Sequence, residues 1–209
     1  KNSKINNLEI TAYGRNIAGV FGSSFGERLQ IDDIEMKNIT IDDKGTNVRI
    51  DNNKRKIVDR TAAGVVGSCT YMLGINGVDI DGLEINSHVL SVGGVAAYVS
   101  TLKQFENVTV NGLTINNLPE VDVYDSTEPY NMRYLYGDVS GMIANIGSAP
   151  MDDNKAINNC ILTNSELNST CHQLGGIVGT YVGTNELKFD NITIDNVNYT
   201  NTNDVQIYS

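Results

Sequence analysis

Six copies of one short pattern constrain what this chain can fold into. The pattern is apolar, any residue, Asn or Gly, apolar, any residue, apolar. It reads Ile5-Asn6-Asn7-Leu8-Glu9-Ile10, then Met36-Lys37-Asn38-Ile39-Thr40-Ile41, then Ile80-Asp81-Gly82-Leu83-Glu84-Ile85. It continues as Val110-Asn111-Gly112-Leu113-Thr114-Ile115, Leu162-Thr163-Asn164-Ser165-Glu166-Leu167 and Ile194-Asp195-Asn196-Val197-Asn198-Tyr199, with only Ser165 breaking the apolar rule. The anchors at 7, 38, 82, 112, 164 and 196 lie 31, 44, 30, 52 and 32 residues apart. Between them recurs a second element, a small residue and Gly followed by apolar residues. It occurs as Ala18-Gly19-Val20-Phe21-Gly22, Ala63-Gly64-Val65-Val66-Gly67, Gly93-Gly94-Val95-Ala96-Ala97, Ser140-Gly141-Met142-Ile143-Ala144 and Gly175-Gly176-Ile177-Val178-Gly179. From each anchor to the next such Gly is 12, 26, 12, 29 and 12 residues, so two gaps carry insertions of 14 and 17.

Apolar residues two apart, rich in Ile, Val and Thr, are strand faces, and no sustained 3.6-residue period competes with them. Asn or Gly between two faces tolerates the left-handed backbone of a sharp corner. One such unit cannot bury its apolar side alone; copies stacked about 4.8 Å apart can. The expected fold is therefore all-β: a right-handed parallel β-helix (β-solenoid) of about six coils of about 30 residues. A β-sandwich also has many short strands, but it gives no reason for three identical gaps. The expected organisation is one domain over residues 1–209, a piece of a larger protein, with insertions at 43–61 and 118–138.

Composition narrows the function classes. The 209 residues carry 15 Lys+Arg against 25 Asp+Glu, for a formal charge of −10. That balance opposes nucleic-acid binding, which depends on neutralising phosphates. An apolar fraction of 40 % fills a core, and no apolar run reaches the length of a membrane span. No basic-plus-apolar signal segment opens the sequence. Cys69, Cys160 and Cys171 are odd in number and lack metal-ligand spacing, so buried free thiols are expected.

The stretches Gly175-Gly176-Ile177-Val178-Gly179 and Ala63-Gly64-Val65-Val66-Gly67 resemble the GLUG motif of bacterial cell-surface repeat proteins. Such repeats also occur in the non-catalytic part of secreted immunoglobulin A1 metallopeptidases. The resemblance implies an exported bacterial β-helix, secreted or at the cell surface, and transfers no catalytic residue. The metallopeptidase signature His-Glu-x-x-His is absent, since Val89 follows His88 and Gln173 follows His172.

Other chemistry-bearing residues favour structural readings. Glu9, Thr40, Glu84, Thr114, Glu166 and Asn198, each two after an anchor, should form one outward column in which acidic and neutral residues alternate. The pairs Asp32-Asp33, Asp42-Asp43 and Asp152-Asp153 fall near turns rather than in one register, unlike carboxylates facing across a catalytic cleft. Adjacent Cys171 and His172 should point to opposite faces of a strand, out of reach of one another. Of the Asn-x-Ser/Thr sequences at Asn38, Asn107, Asn168, Asn191 and Asn198, three follow from the corner pattern itself. No catalytic residue, metal ligand or cofactor is assigned.

The insertions remain. The first holds Lys44, Arg49, Lys54, Arg55, Lys56 and Arg60; the second is acidic and holds Tyr124, Tyr130, Tyr134 and Tyr136. Both should leave the same edge two coils apart, packing on each other, forming a recognition surface, or both. The candidate ligand-binding residues are thus Tyr124, Tyr130, Tyr134, Tyr136, Lys54, Arg55 and Lys56. The expected function is a non-enzymatic repeat segment that adheres to a glycan or host surface protein or projects as a scaffold, with end-to-end self-stacking as a further partner mode. The rival expectation is a carbohydrate-active β-helix enzyme, a polysaccharide lyase or hydrolase, or its substrate-binding part.

Overall fold

The computed structural model describes residues 3–26, 28–45, 48–51, 54–57, 60–118, 137–148, 157–171 and 173–201, with backbone alone at 48–51 and 54–57. The described chain is all-β, and its sheets are parallel apart from one hairpin. The strands are β1 (Ser3–Ala12), β2 (Asn16–Ala18), β3 (Phe21–Ser24), β4 (Arg28–Asp43), β5 (Val48–Asp51), β6 (Lys54–Ile57), β7 (Thr61–Ala63) and β8 (Val66–Ser87). They continue as β9 (Ser91–Gly93), β10 (Ala96–Asn117), β11 (Asp138–Ser140), β12 (Ile143–Ser148), β13 (Ile157–Ser169), β14 (Gln173–Gly175), β15 (Val178–Tyr181) and β16 (Phe189–Asn201).

Each repeat forms one level of a stack. The pattern-bearing strands pair in parallel as β1-β4-β8-β10-β13-β16, with every anchor over the next. The short strands form a second ladder, β2-β7-β9-β11-β14. A third ladder joins β3, the first residues of β8 and β10, then β12 and β15. The apolar positions of the pattern consequently fall into columns. Ile5, Met36, Ile80, Val110, Leu162 and Ile194 stand over one another, and the inner four are fully buried. Leu83, Ile85, Leu113 and Ile115 fill neighbouring columns of the same core.

Two left-handed corners, not one, bend each of the pattern-bearing strands β4, β8, β10, β13 and β16. All six anchors, Asn7, Asn38, Gly82, Gly112, Asn164 and Asn196, have φ between 49° and 77°. Five residues before an anchor lies a second left-handed corner, formed by Asp33, Gly77, Asn107, Asn159 and Asn191. Asn and Asp adopt this conformation more readily than other non-glycine residues, because a short polar side chain can hydrogen-bond locally.

The corner amides also bond from level to level. Asn38 Nδ2 donates to Asn7 Oδ1 at 3.1 Å, Asn164 Nδ2 to Asn111 Oδ1 at 2.8 Å, and Asn196 Nδ2 to Asn164 Oδ1 at 2.7 Å. At the second corner Asn107 donates to Asn76, Asn159 to Asn107 and Asn191 to Asn159. Where a glycine forms the corner, the residue before it (Asn76, Asp81 or Asn111) supplies the side chain instead.

The glycines of the second element answer a different demand. A Cβ on Gly19, Gly64, Gly94 or Gly141 would lie 2.0–2.5 Å from the carbonyl oxygen of Gly64, Gly94, Gly141 or Gly176 respectively. The levels approach too closely there for any side chain.

Candidate functional site

The edge where the insertions are rooted is the described region richest in buried polar groups. β4 ends at Asp43 and β7 begins at Thr61; β10 ends at Asn117 and β11 begins at Asp138. Between these two levels the chain passes from β8 to β9 through His88, Val89 and Leu90 alone. Thr61 and Asp138 both pair with Ser91, so both insertions re-enter the short-strand ladder at one register position, one level to either side of the His88 turn.

One inward column closes this edge. Asp43, Ser87, Asn117 and Ser169 are all buried at the ends of successive pattern-bearing strands. Three of them cap the turn that follows: Gly45 N–H donates to Asp43 Oδ1, Val89 N–H to Ser87 Oγ and Cys171 N–H to Ser169 Oγ, at 2.8–3.2 Å. Asn117 stands in the same position, but two residues on is Pro119, which has no N–H to give. Its Nδ2 donates to Cys171 Sγ at 3.1 Å, and its Oδ1 has no partner among the described residues.

Around this column the turns are tied together. His88 Nδ1 lies 2.8 Å from the carbonyl oxygen of Leu118. Leu118 N–H donates to Ser87 O, and Asp138 N–H to Leu90 O. On the other side, Arg60 Nη2 donates to the carbonyl oxygens of Tyr13 and Gly14. Burial raises the Asp43 carboxyl above the usual carboxylate range, partly offset by the Gly45 N–H, Arg60, His88 and the Ser87 hydroxyl.

Asp138 is the residue that sequence reasoning misplaced. Counted with the acidic insertion, it is instead buried at the first position of β11. Asn145 Nδ2 donates to its Oδ2 at 2.7 Å and the Thr180 hydroxyl to its Oδ1, while the Gln173 amide, with its nitrogen toward Asp138, adds a third donor at 3.2 Å. Burial again raises the carboxyl, and the Asn145 and Thr180 donors pull it back. The available signal was register: Asp138 lies three residues before Gly141, as Asn16, Thr61, Ser91 and Gln173 lie before theirs.

Of the expected binding residues, Lys54, Arg55 and Lys56 lie on β6, the second strand of an antiparallel hairpin with β5. In it Arg49 pairs with Lys56, Ile50 with Arg55 and Asp51 with Lys54. The first insertion thus contains a hairpin where the sequence suggested only a loop. Tyr124, Tyr130, Tyr134 and Tyr136 lie outside the described residues, as do His172 and the pair Asp152-Asp153.

The remaining carboxylates have structural surroundings. Asp32 accepts from Gln30, and Asp33 is a left-handed corner. Asp42 and Asp43 are divided between surface and core. Asp42 is held below the usual carboxylate range by the Asn86 amide and Lys44, whereas burial dominates at Asp43. Glu9, Thr40, Glu84, Thr114, Glu166 and Asn198 pair in that order as one column. Asn38, Asn107 and Asn191 are corner residues within the amide ladders, and Asn168 donates to Asn116 in a further ladder at the strand ends. Among the described residues no three His, Cys, Asp or Glu side chains gather as metal ligands would.

The three thiols are buried and unpaired. Burial pushes the Cys160 thiol up to about 12 and the Cys171 thiol up to about 11, where the Asp138 carboxylate adds to the effect. Such thiols are poor nucleophiles at neutral pH. Among the described residues no helix is long and apolar enough to cross a membrane. No family model matches the chain, and neither a curated protein nor a solved structure matches it.

Proposed function

We propose that this chain is a right-handed parallel β-helix of about six coils, a non-enzymatic segment of an exported bacterial surface protein of the GLUG-like repeat class. Its work is to hold two insertions side by side as one adhesive edge. The observation carrying this reading is the common root of 43–61 and 118–138, one level to either side of the short His88–Leu90 turn. A rigid stacked core that departs from its repeat at two neighbouring places on one edge suits recognition, because loops on a scaffold are where binding residues concentrate. The basic residues of the first insertion and the tyrosines of the second are residue types suited to contact with a glycan or a host surface protein.

The test is a glycan and host-protein array probed with the intact chain and with a variant in which a short Gly/Ser linker replaces 119–137. Binding by the intact chain that disappears in the folded variant supports the adhesive edge. Binding that survives in the variant, or no binding by a folded intact chain, contradicts it.

A further inference from the structure

The chain holds two Asn-Gly pairs, Asn76-Gly77 and Asn111-Gly112. In each, the glycine is a left-handed corner, with φ of 72° and 66°, and the asparagine before it supplies a side chain to the amide ladders. Both asparagines and both glycines are half-buried, so solvent reaches the two pairs alike. Their hydrogen bonds differ. Asn111 is held at both ends of its amide: Nδ2 donates to Asp81 Oδ1 at 2.9 Å, while Oδ1 accepts from Asn164 Nδ2 at 2.8 Å and from the Thr163 hydroxyl at 3.2 Å. Asn76 is the last acceptor of its ladder. Its Oδ1 accepts from Asn107 Nδ2 at 2.7 Å, and its Nδ2 has no partner among the described residues.

An asparagine followed by glycine can react with its own main chain, because no Cβ shields the glycine nitrogen. At Asn76 the Gly77 nitrogen adds to Cγ and gives up its proton. The Cγ–Nδ2 bond breaks, and Nδ2 departs with that proton as ammonia. A five-membered imide remains, and water opens it. Addition of water at Cγ leaves aspartate; addition at the main-chain carbonyl leaves isoaspartate, with one more carbon in the backbone. Neither corner glycine is a paired position of the parallel ladder, whose register passes from Asn76 to Val78 and from Asn111 to Leu113. The side-chain bonds therefore decide between the two pairs. Turning the amide toward the glycine nitrogen breaks one hydrogen bond at Asn76 and three at Asn111.

We propose that Asn76 is a site of spontaneous deamidation in the folded chain, and that its ladder protects Asn111 from the same reaction. The position of Asn76 gives the change a consequence. Asp32, Asn76, Glu106, Asn158 and Asp190 pair in that order as one outward column, in which asparagines separate the carboxylates. A carboxylate at 76 sets three in a row at the strand spacing of about 4.8 Å, and like charges directly opposite one another are destabilising. The bond from Asn107 survives, since a carboxylate oxygen accepts as an amide oxygen does. The modified molecule stays stacked but is less stable, and salt screens part of the loss. The inference does not depend on the adhesive edge, since neither insertion takes part.

The experiment incubates the intact chain in warm, mildly alkaline buffer and follows both pairs by peptide mass spectrometry, with circular dichroism verifying the fold. A sample unfolded in guanidinium chloride gives the rate of each pair without the stack. Native Asn76 is expected to convert at least about tenfold faster than native Asn111, the effect of two further hydrogen bonds, and the two unfolded rates should be close. The double variant Thr163→Val with Asn164→Gly keeps the corner and removes both donors to Asn111. In it, once folded, conversion at Asn111 should rise toward that at Asn76. Asn76→Asp should lower Tm, and more at low salt than at high salt. Equal native rates overturn the inference, as does a native Asn76 that does not react. So does an Asn111 rate unchanged in the folded double variant, or a Tm that Asn76→Asp leaves where it was.

Discussion

Gly94 shows how little room single residues have in this stack. A Cβ there would lie 2.0 Å from the carbonyl oxygen of Gly141 and 2.8 Å from Leu113 Cδ2. Gly94→Ala must push two levels apart and is expected to cost about 3 kcal/mol or more, read as a fall in the denaturant midpoint. Gly26, whose added Cβ meets nothing within 4 Å, is a contrast of another kind, because its φ of +77° makes the cost purely conformational. Burial governs the chemistry of the thiols at the same scale. Cys69, Cys160 and Cys171 should resist an aromatic disulfide reagent at pH 8 in the native state, and all three should react in guanidinium chloride; rapid native labelling would contradict their placement. Asp138 sets a pH dependence. Its folded pKa is raised, so the native state holds the proton more tightly than the unfolded chain. The resulting stabilisation is fully present below the ordinary carboxylate value of 3.8 and is lost as pH rises through the folded value. Acidification from neutrality toward pH 4 should therefore stabilise the protein through Asp138, and Asp138→Asn, which cannot ionise, should flatten that part of the melting profile.

At the scale of the strand, the corners decide what was readable in advance. The anchor corner was legible because an apolar residue two before and another directly after bracket the Asn or Gly in five of the six copies, Ser165 being the exception, and all six anchors have positive φ. The second corner carries the same bracket, as in Ile75-Asn76-Gly77-Val78-Asp79-Ile80 and Phe105-Glu106-Asn107-Val108-Thr109-Val110, but its last apolar residue is also the first of the anchor copy, so the two overlapping patterns read as one. The glycines of the second element were visible as a motif, but their cause was not: it is the approach of the next level, which no local pattern encodes. Asp138 was misplaced for a related reason, because charge counting ignored its register with Ser91 and Gln173. The second corner yields a prediction that separates two roles of one residue. Asn107 has φ 56°, donates to Asn76 and accepts from Asn159. Asn107→Gly keeps the corner and loses the ladder, at about 1 kcal/mol. Asn107→Ala loses both and should cost about 1–2 kcal/mol more by chemical denaturation. Equal losses would mean that the corner conformation contributes nothing.

For the whole molecule, the repeat makes the core a stack of near-equivalent levels, each resting on its neighbours. The insertions interrupt the sequence period without interrupting the stack, because Asp43 and Thr61, like Asn117 and Asp138, occupy the same edge as the uninserted turn from Ser87 to Ser91. The proposed adhesive edge presupposes that registration, and an engineered cross-link tests it most directly. Glu84 and Thr114 are paired outward residues of adjacent parallel strands, about 4.8 Å apart, within the range a disulfide spans. Under mild oxidation the double variant Glu84→Cys with Thr114→Cys is expected to form an intramolecular disulfide in nearly all molecules. Glu84→Cys with Leu113→Cys, shifted by one residue so that the second thiol faces the core, should remain reduced. Efficient closure of the shifted pair, or failure of the registered one in folded protein, would contradict the stacked register on which the account rests.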